Sequence, residues 1–169
     1  MPNPNPSFEA TLIRRFASPL SLVYQAWTQP RHLERWLAPA DDIQMQVVEF
    51  DFREGGDYYF RYTWGEQGIF PLRGRFLTIQ PEKCLIFSWL PQPPDPDAGK
   101  ETMVSVWFRP CPNGETEVEV RHTLFPDKPM QARHQEGWTG ALDRLRRLLA
   151  LPQWAHDKNQ STTTKGKHQ

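Results

Sequence analysis

Residues 131–150, QARHQEGWTGALDRLRRLLA, restrict the possible folds of this chain more than any other stretch. Trp138, Ala141, Leu142, Leu145, Leu148 and Leu149 recur at helical spacing, while Asp143, Arg144, Arg146 and Arg147 fill the other side. The segment therefore reads as a long helix with one apolar face. That face needs a partner. Nearly everything before it alternates as strands do, so the partner is a sheet. A sheet covered by one helix and wet on its other face calls for antiparallel strands.

The strand signals come in order. Residues 8–16 form the first strand, with Phe8, Ala10 and Leu12 on one alternation. Ser18 and Pro19 then supply an N-cap and a first-turn proline for a helix carrying Leu20, Val23, Tyr24 and Trp27. Residues 28–30 end it and open a second short helix, with Leu33, Trp36 and Leu37 on one face, that stops at Pro39. Strand character resumes at 43–52, turns at 53–56 and returns at 57–64, where Tyr58, Phe60, Tyr62 and Trp64 share a side. Strands at 69–79, 84–90, 102–109 and 116–124 follow, and Pro71 and Gly74 mark an edge or a bend in the first of these. Residues 91–99, PQPPDPDAG, read as a long hairpin connection, with a lid as the alternative. The expected order is one strand, two short helices, six strands in meander and a long helix, an α+β chain with a seven-stranded curved antiparallel sheet. Residues 1–7 read as a flexible tail, 8–150 as a single domain and 151–169 as a disordered polar tail.

Composition narrows the function classes. A chain of 169 residues suits one domain with a sizeable core. Lys plus Arg and Asp plus Glu are 20 each, so no global charge favours nucleic acid or an anionic membrane. No run approaches the roughly 18 apolar residues of a span, and the N-terminus lacks a signal-peptide core. The expectation is a cytoplasmic protein with no membrane insertion. Cys84 and Cys111 lie far apart outside any CxxC pattern and read as two free thiols. The Asn159-Gln160-Ser161 triplet has no secretory context to make it a glycosylation site. With no GxSxG, no phosphate-cradling glycine loop and no HExxH, no metal, cofactor or catalytic residue is assigned.

A straight helix touches a curved sheet only in places, leaving an apolar volume of about 300–1,000 Å³ if it is an ordinary ligand pocket. Strand parity sends Tyr58, Phe60 and Tyr62, then Phe76, Phe87 and Trp89, then Val106 and Phe108 inward, with Trp138, Leu142 and Leu145 facing them from the helix. Each reads as plain core first and as a ligand contact second. Polar positions say more. His122 continues the inward row of Val118 and Val120, and His134 lies one turn before Trp138. Arg73, beside Gly74, is a candidate clamp for an acidic head group. Trp36 either packs structurally or borders the mouth. Arg144, Arg146 and Arg147 read as a solvated basic face.

Several separated motifs carry a family resemblance. They are Arg15-Phe16, Ser18-Pro19, Ala26-Trp27-Thr28, Pro30, Leu33-x-x-Trp36, Phe52-Arg53-x-Gly55-Gly56, Gly74-x-Phe76, and His134-Gln135-Glu136-Gly137-Trp138-Thr139-Gly140-Ala141-Leu142-x-x-Leu145. In this order, over residues 8–150, the chain resembles the activator-of-Hsp90-ATPase-homologue-1-like proteins of the START-like, or polyketide-cyclase, superfamily. The resemblance implies the helix-grip fold and binding of a small hydrophobic or lipid-like molecule between helix and sheet. It leaves open a cyclase- or dehydratase-type reaction in the same cavity, with His122 or Tyr58 as acid or base. It also leaves open a chaperone, Hsp90, as partner, although the eukaryotic namesakes carry an additional N-terminal domain for which this chain has no room.

Overall fold

The computed structural model describes residues 7–152 and 154. The expected tails at 1–6 and beyond 154, and the Asn159 triplet, lie outside the described residues. The strands are β1 (Phe8–Phe16), β2 (Gln44–Phe50), β3 (Asp57–Trp64), β4 (Gly68–Gln80), β5 (Cys84–Pro91), β6 (Thr102–Pro110) and β7 (Thr116–Phe125). The helices are α1 (Leu20–Thr28), α2 (Pro30–Trp36) and α3 (Lys128–Leu149). All neighbouring strands are antiparallel, in the order β1-β7-β6-β5-β4-β3-β2. The last six strands run as a meander, and β1 returns beside β7.

Alternation positions the core as the strands require. Tyr58 and Phe60 of β3, Phe87 of β5, Val104, Val106 and Phe108 of β6, and Val118, Val120 and His122 of β7 are all buried. They face Trp138, Ala141, Leu142, Leu145 and Leu148 of α3. The outer row stays polar: Arg109 bridges Glu117 and Glu119, and Arg121 reaches Glu119 from the other side. Gly74 sits opposite Tyr58 in the β3–β4 pairing, and an added Cβ there would come within 2.2 Å of the Tyr58 ring and of the Ser88 carbonyl oxygen. The glycine gives the buried ring its space, as glycines in strands do where another group approaches closely.

The helix ends depart from the local sequence signals. Ser18 does not cap α1; the cap position is Pro19, without a side-chain bond, and the Ser18 carbonyl instead accepts from the Thr116 hydroxyl at 2.7 Å. That bond fastens the start of α1 to β7. Helix α3 begins at Lys128, three residues earlier than expected, because Asp127 caps it by accepting from the Met130 N–H at 2.8 Å. Pro129 lies in the first turn, where its missing N–H leaves no bond unmade. Trp154 also departs from the expected polar tail: it is 2% exposed and packs its ring 4.2 Å from that of His32.

Arg144 corrects the picture of a solvated basic face. Its side chain is only 16% exposed. The guanidinium donates to the carbonyls of Arg35, Trp36 and Ala38 and to the Asp41 carboxylate. Carbonyls at the end of a helix have no intrahelical donor, so Arg144 supplies what α2 lacks and ties it to α3. Arg144→Met should lower the free energy of unfolding in urea by about 1–3 kcal/mol, the range for a charge-assisted bond and its orphaned acceptors. Arg147 shares Asp41 but its side chain is 64% exposed, so Arg147→Met should change stability by less than about 0.5 kcal/mol.

Candidate functional site

The first half of α3 stands off the sheet where β3, β4 and β5 curve away, leaving a cavity of about 680 Å³. Three elements wall it. From the sheet come Tyr62 and Trp64 of β3, Phe70, Pro71 and Leu72 of β4, and Trp89 and Pro91 of β5. From α3 come Arg133, His134, Glu136, Gly137, Trp138 and Ala141. The remaining wall is loop: Leu37 to Ala40 and Ile43 after α2, and Asp95 to Asp97 after β5. Aromatic rings, prolines and aliphatic groups make up most of this surface, and such rings present large rigid apolar faces.

The β5–β6 loop is held in place. Asp97 is 2% exposed, and both its carboxylate oxygens accept from Arg133 Nη2 of α3, at 2.7 and 2.6 Å. Lys100 approaches the same carboxylate and that of Asp127 at 3.4 Å. The loop makes the expected hairpin connection between β5 and β6, and Asp97 ties it to α3 as part of the cavity wall.

Two histidines mark the inner end. His122, fully buried, receives the Trp138 indole N–H on Nδ1 at 3.0 Å. Indole nitrogen only donates, so Nδ1 is the bare nitrogen and Nε2 carries the proton. Nε2 then donates to the Thr102 hydroxyl at 2.7 Å, which in turn donates to the Trp89 carbonyl. Desolvation first, and the neighbouring His134 second, hold the His122 pKa well below the ordinary imidazole value. The His134 ring lies 5.1 Å from that of His122. His134 Nδ1 faces the Met130 carbonyl at 2.8 Å and must donate to it, which leaves Nε2 as an acceptor. Burial lowers its pKa too, against a smaller opposing effect of that bond, so the ring is neutral at pH 7. Tyr62 is half-buried, burial pushes its phenol pKa up, and its hydroxyl has no hydrogen-bond partner among the described residues.

Of the residues singled out from the sequence, Tyr62, Trp89, His134 and Trp138 line this cavity. Tyr58, Phe60, Phe76, Phe87, Val106, Phe108, Leu142 and Leu145 face the same interior but are sealed in the packed core beside it. His122 lies one ring behind the wall, accepting the Trp138 indole N–H. Trp36 is 0% exposed, with its indole N–H on the Ala26 carbonyl at 2.8 Å, and packs rather than borders a mouth. Arg73 points away, its guanidinium lying 4.3 Å over the Tyr59 ring on the outer face. It pairs with Tyr59 across β3–β4, and outward parity at Tyr59 carries Arg73 out with it.

Sequence reasoning missed the loop contributions of Pro39, Ala40, Asp95 and Pro96 and the latch between Asp97 and Arg133. Loops carry no period to read. The one available signal was Trp64, which continues the Tyr58, Phe60, Tyr62 row onto the cavity wall. Among the described residues, no group of three or more His, Cys, Asp or Glu is placed to hold a metal ion, and no helix is long and apolar enough to cross a membrane.

Solved structures share this architecture. An AHSA1 protein from Silicibacter pomeroyi superposes with a TM-score of 0.75 at 24% identity, covering 85% of this chain and 98% of its own. A protein from Chromobacterium violaceum gives 0.74 at 23%, covering 88% and 99%. One from Rhodobacter sphaeroides gives 0.69 at 26%, covering 89% and 95%. No curated protein matches the chain by sequence. The seven-stranded sheet closed on a long C-terminal helix is the helix-grip fold. A family model described as Activator of Hsp90 ATPase homolog 1-like protein matches residues 17–150, and the chain belongs to that family.

Proposed function

We propose that this protein binds a small hydrophobic molecule in the cavity between α3 and strands β3 to β5. The observation that carries the reading is the wall itself: about 680 Å³ bounded by three tryptophans, a tyrosine, a phenylalanine and four prolines, within the size range of ordinary ligand sites. Apolar surface of this kind gains by excluding water, and a ligand entering it would bury its hydrocarbon against rigid rings. A reaction using Tyr58 or His122 has less support, because the Tyr58 hydroxyl donates to the Ser88 carbonyl and both His122 nitrogens are engaged inside the protein.

A thermal-shift panel of uncharged lipophiles tests the proposal. A ligand that binds only the folded state adds about 2.7 kcal/mol at a hundred times its Kd, which for a chain of this size raises Tm by roughly 5–10 °C. At least one saturable shift of that order is expected. A panel of alcohols, aromatic amines and sterol-like compounds with no shift at all would overturn the reading.

A further inference from the structure

The charges on the cavity wall narrow the ligand class, given the binding reading above. Four charged residues line it: Asp95, Asp97, Glu136 and Arg133. Arg133 is the one cation among them, and its Nη2 donates to both oxygens of Asp97, so its charge is already paired there. Glu136 is exposed and makes no ion pair among the described residues, and the Asp95 carboxylate accepts only from the Asp97 backbone N–H at 2.8 Å. Arg73, the candidate clamp for an acid, lies on the opposite side of the sheet. A carboxylate entering this mouth would meet three carboxylates against one guanidinium that already pairs with Asp97, and burying a charge without a partner is strongly unfavourable.

The polar groups left over are neutral. His134 Nε2 is a bare acceptor, because Nδ1 donates to the Met130 carbonyl. The Tyr62 hydroxyl, on the sheet side of the same cavity, can donate or accept. A hydroxyl is the head group that satisfies both, giving its proton to one and accepting from the other. We infer that the cavity takes an uncharged lipophile ending in a hydroxyl, seated against His134 and Tyr62, and rejects the same hydrocarbon ending in a carboxylate.

The test is competition of decan-1-ol and decanoate against the neutral dye N-phenyl-1-naphthylamine on the full chain at pH 8 and fixed ionic strength. The alcohol should bind at least tenfold more tightly than the acid. Simple apolarity would also favour the alcohol, so two variants separate the causes. Glu136→Lys places a cation on an exposed position of the rim and should move the ratio toward decanoate by about tenfold. His134→Phe should weaken decanol by about tenfold, the equivalent of one hydrogen bond of about 1.4 kcal/mol, while weakening the dye far less. Decanoate equal to or tighter than decanol, or a ratio unmoved by Glu136→Lys, would overturn the inference while leaving ligand binding intact. Failure of the dye and both decyl compounds to bind would remove the binding reading and this inference with it.

Discussion

Gly140→Ala is expected to lower the free energy of unfolding by up to about 2 kcal/mol, although the same change in an ordinary helix would raise it by about 1 kcal/mol. The reason is the loop after α2. An added Cβ at Gly140 would stand 2.0 Å from the Pro39 carbonyl oxygen and 3.0 Å from its carbon. Both are backbone atoms, so either the loop or the helix must shift, and overpacking of this kind costs typically 1–3 kcal/mol before any propensity gain is counted. Gly137, one turn earlier, is the internal control. Its added Cβ would meet only the Pro39 side chain, at 3.8 Å, an ordinary contact. Gly137→Ala should therefore stabilise by up to about 1 kcal/mol. Urea titrations of the two variants check this. Equal effects would mean that α3 does not press on the Pro39 backbone.

His122→Phe should cost about 2–3 kcal/mol and also flatten the acid limb of the stability curve. The cost follows from bond accounting: phenylalanine has the shape but cannot accept, so the Trp138 indole N–H is left buried without a partner. The pH effect follows from burial. Desolvation holds the folded-state pKa of His122 well below its ordinary 6.5, so on acidification the unfolded chain takes the proton first. The stability that the neutral ring contributes is therefore complete above the ordinary imidazole range, and is lost as the pH falls below it and on through the depressed folded-state pKa. For His122 the loss approaches about 1.4 kcal/mol per pH unit in the window between roughly 6.5 and the folded-state pKa. His134, also depressed, adds a second contribution in the same direction. Stability measured between pH 7.5 and 5.5 should thus fall less steeply in the variant than in the native protein. An identical slope would show that His122 does not remain neutral inside the fold.

Much of this molecule could be read from residue order because periodicity is a property of faces. The row Tyr58, Phe60, Tyr62 and the row Val118, Val120, His122 point inward as alternation requires, and the apolar stripe of α3 meets them. Alternation does not say how far along the helix the sheet stays in contact. Leu142 and Leu145 therefore read as cavity roof, whereas they are sealed in the second half of α3 and the open space lies over His134, Gly137 and Ala141. Arg73 shows a different limit. Its face depends on which residue of β3 it opposes, and the Tyr59–Arg73 register is not written in the alternation of either strand. Trp154, alone among polar residues, belongs to no period, yet its size is itself a reason to expect burial.

The most direct measurement of the central claim uses the seven tryptophans as reporters. Trp64, Trp89 and Trp138 line the cavity, whereas Trp107 lies on the outer face beneath the Arg121 guanidinium and Trp154 packs on His32. In indole ¹H–¹⁵N spectra recorded during a titration with N-phenyl-1-naphthylamine, the first three resonances should move together and saturate at one equivalent, with Trp107 and Trp154 unmoved. Saturable shifts confined to Trp107 or Trp154, or no saturable shift at Trp64, Trp89 and Trp138, would contradict a ligand site between the helix and the sheet.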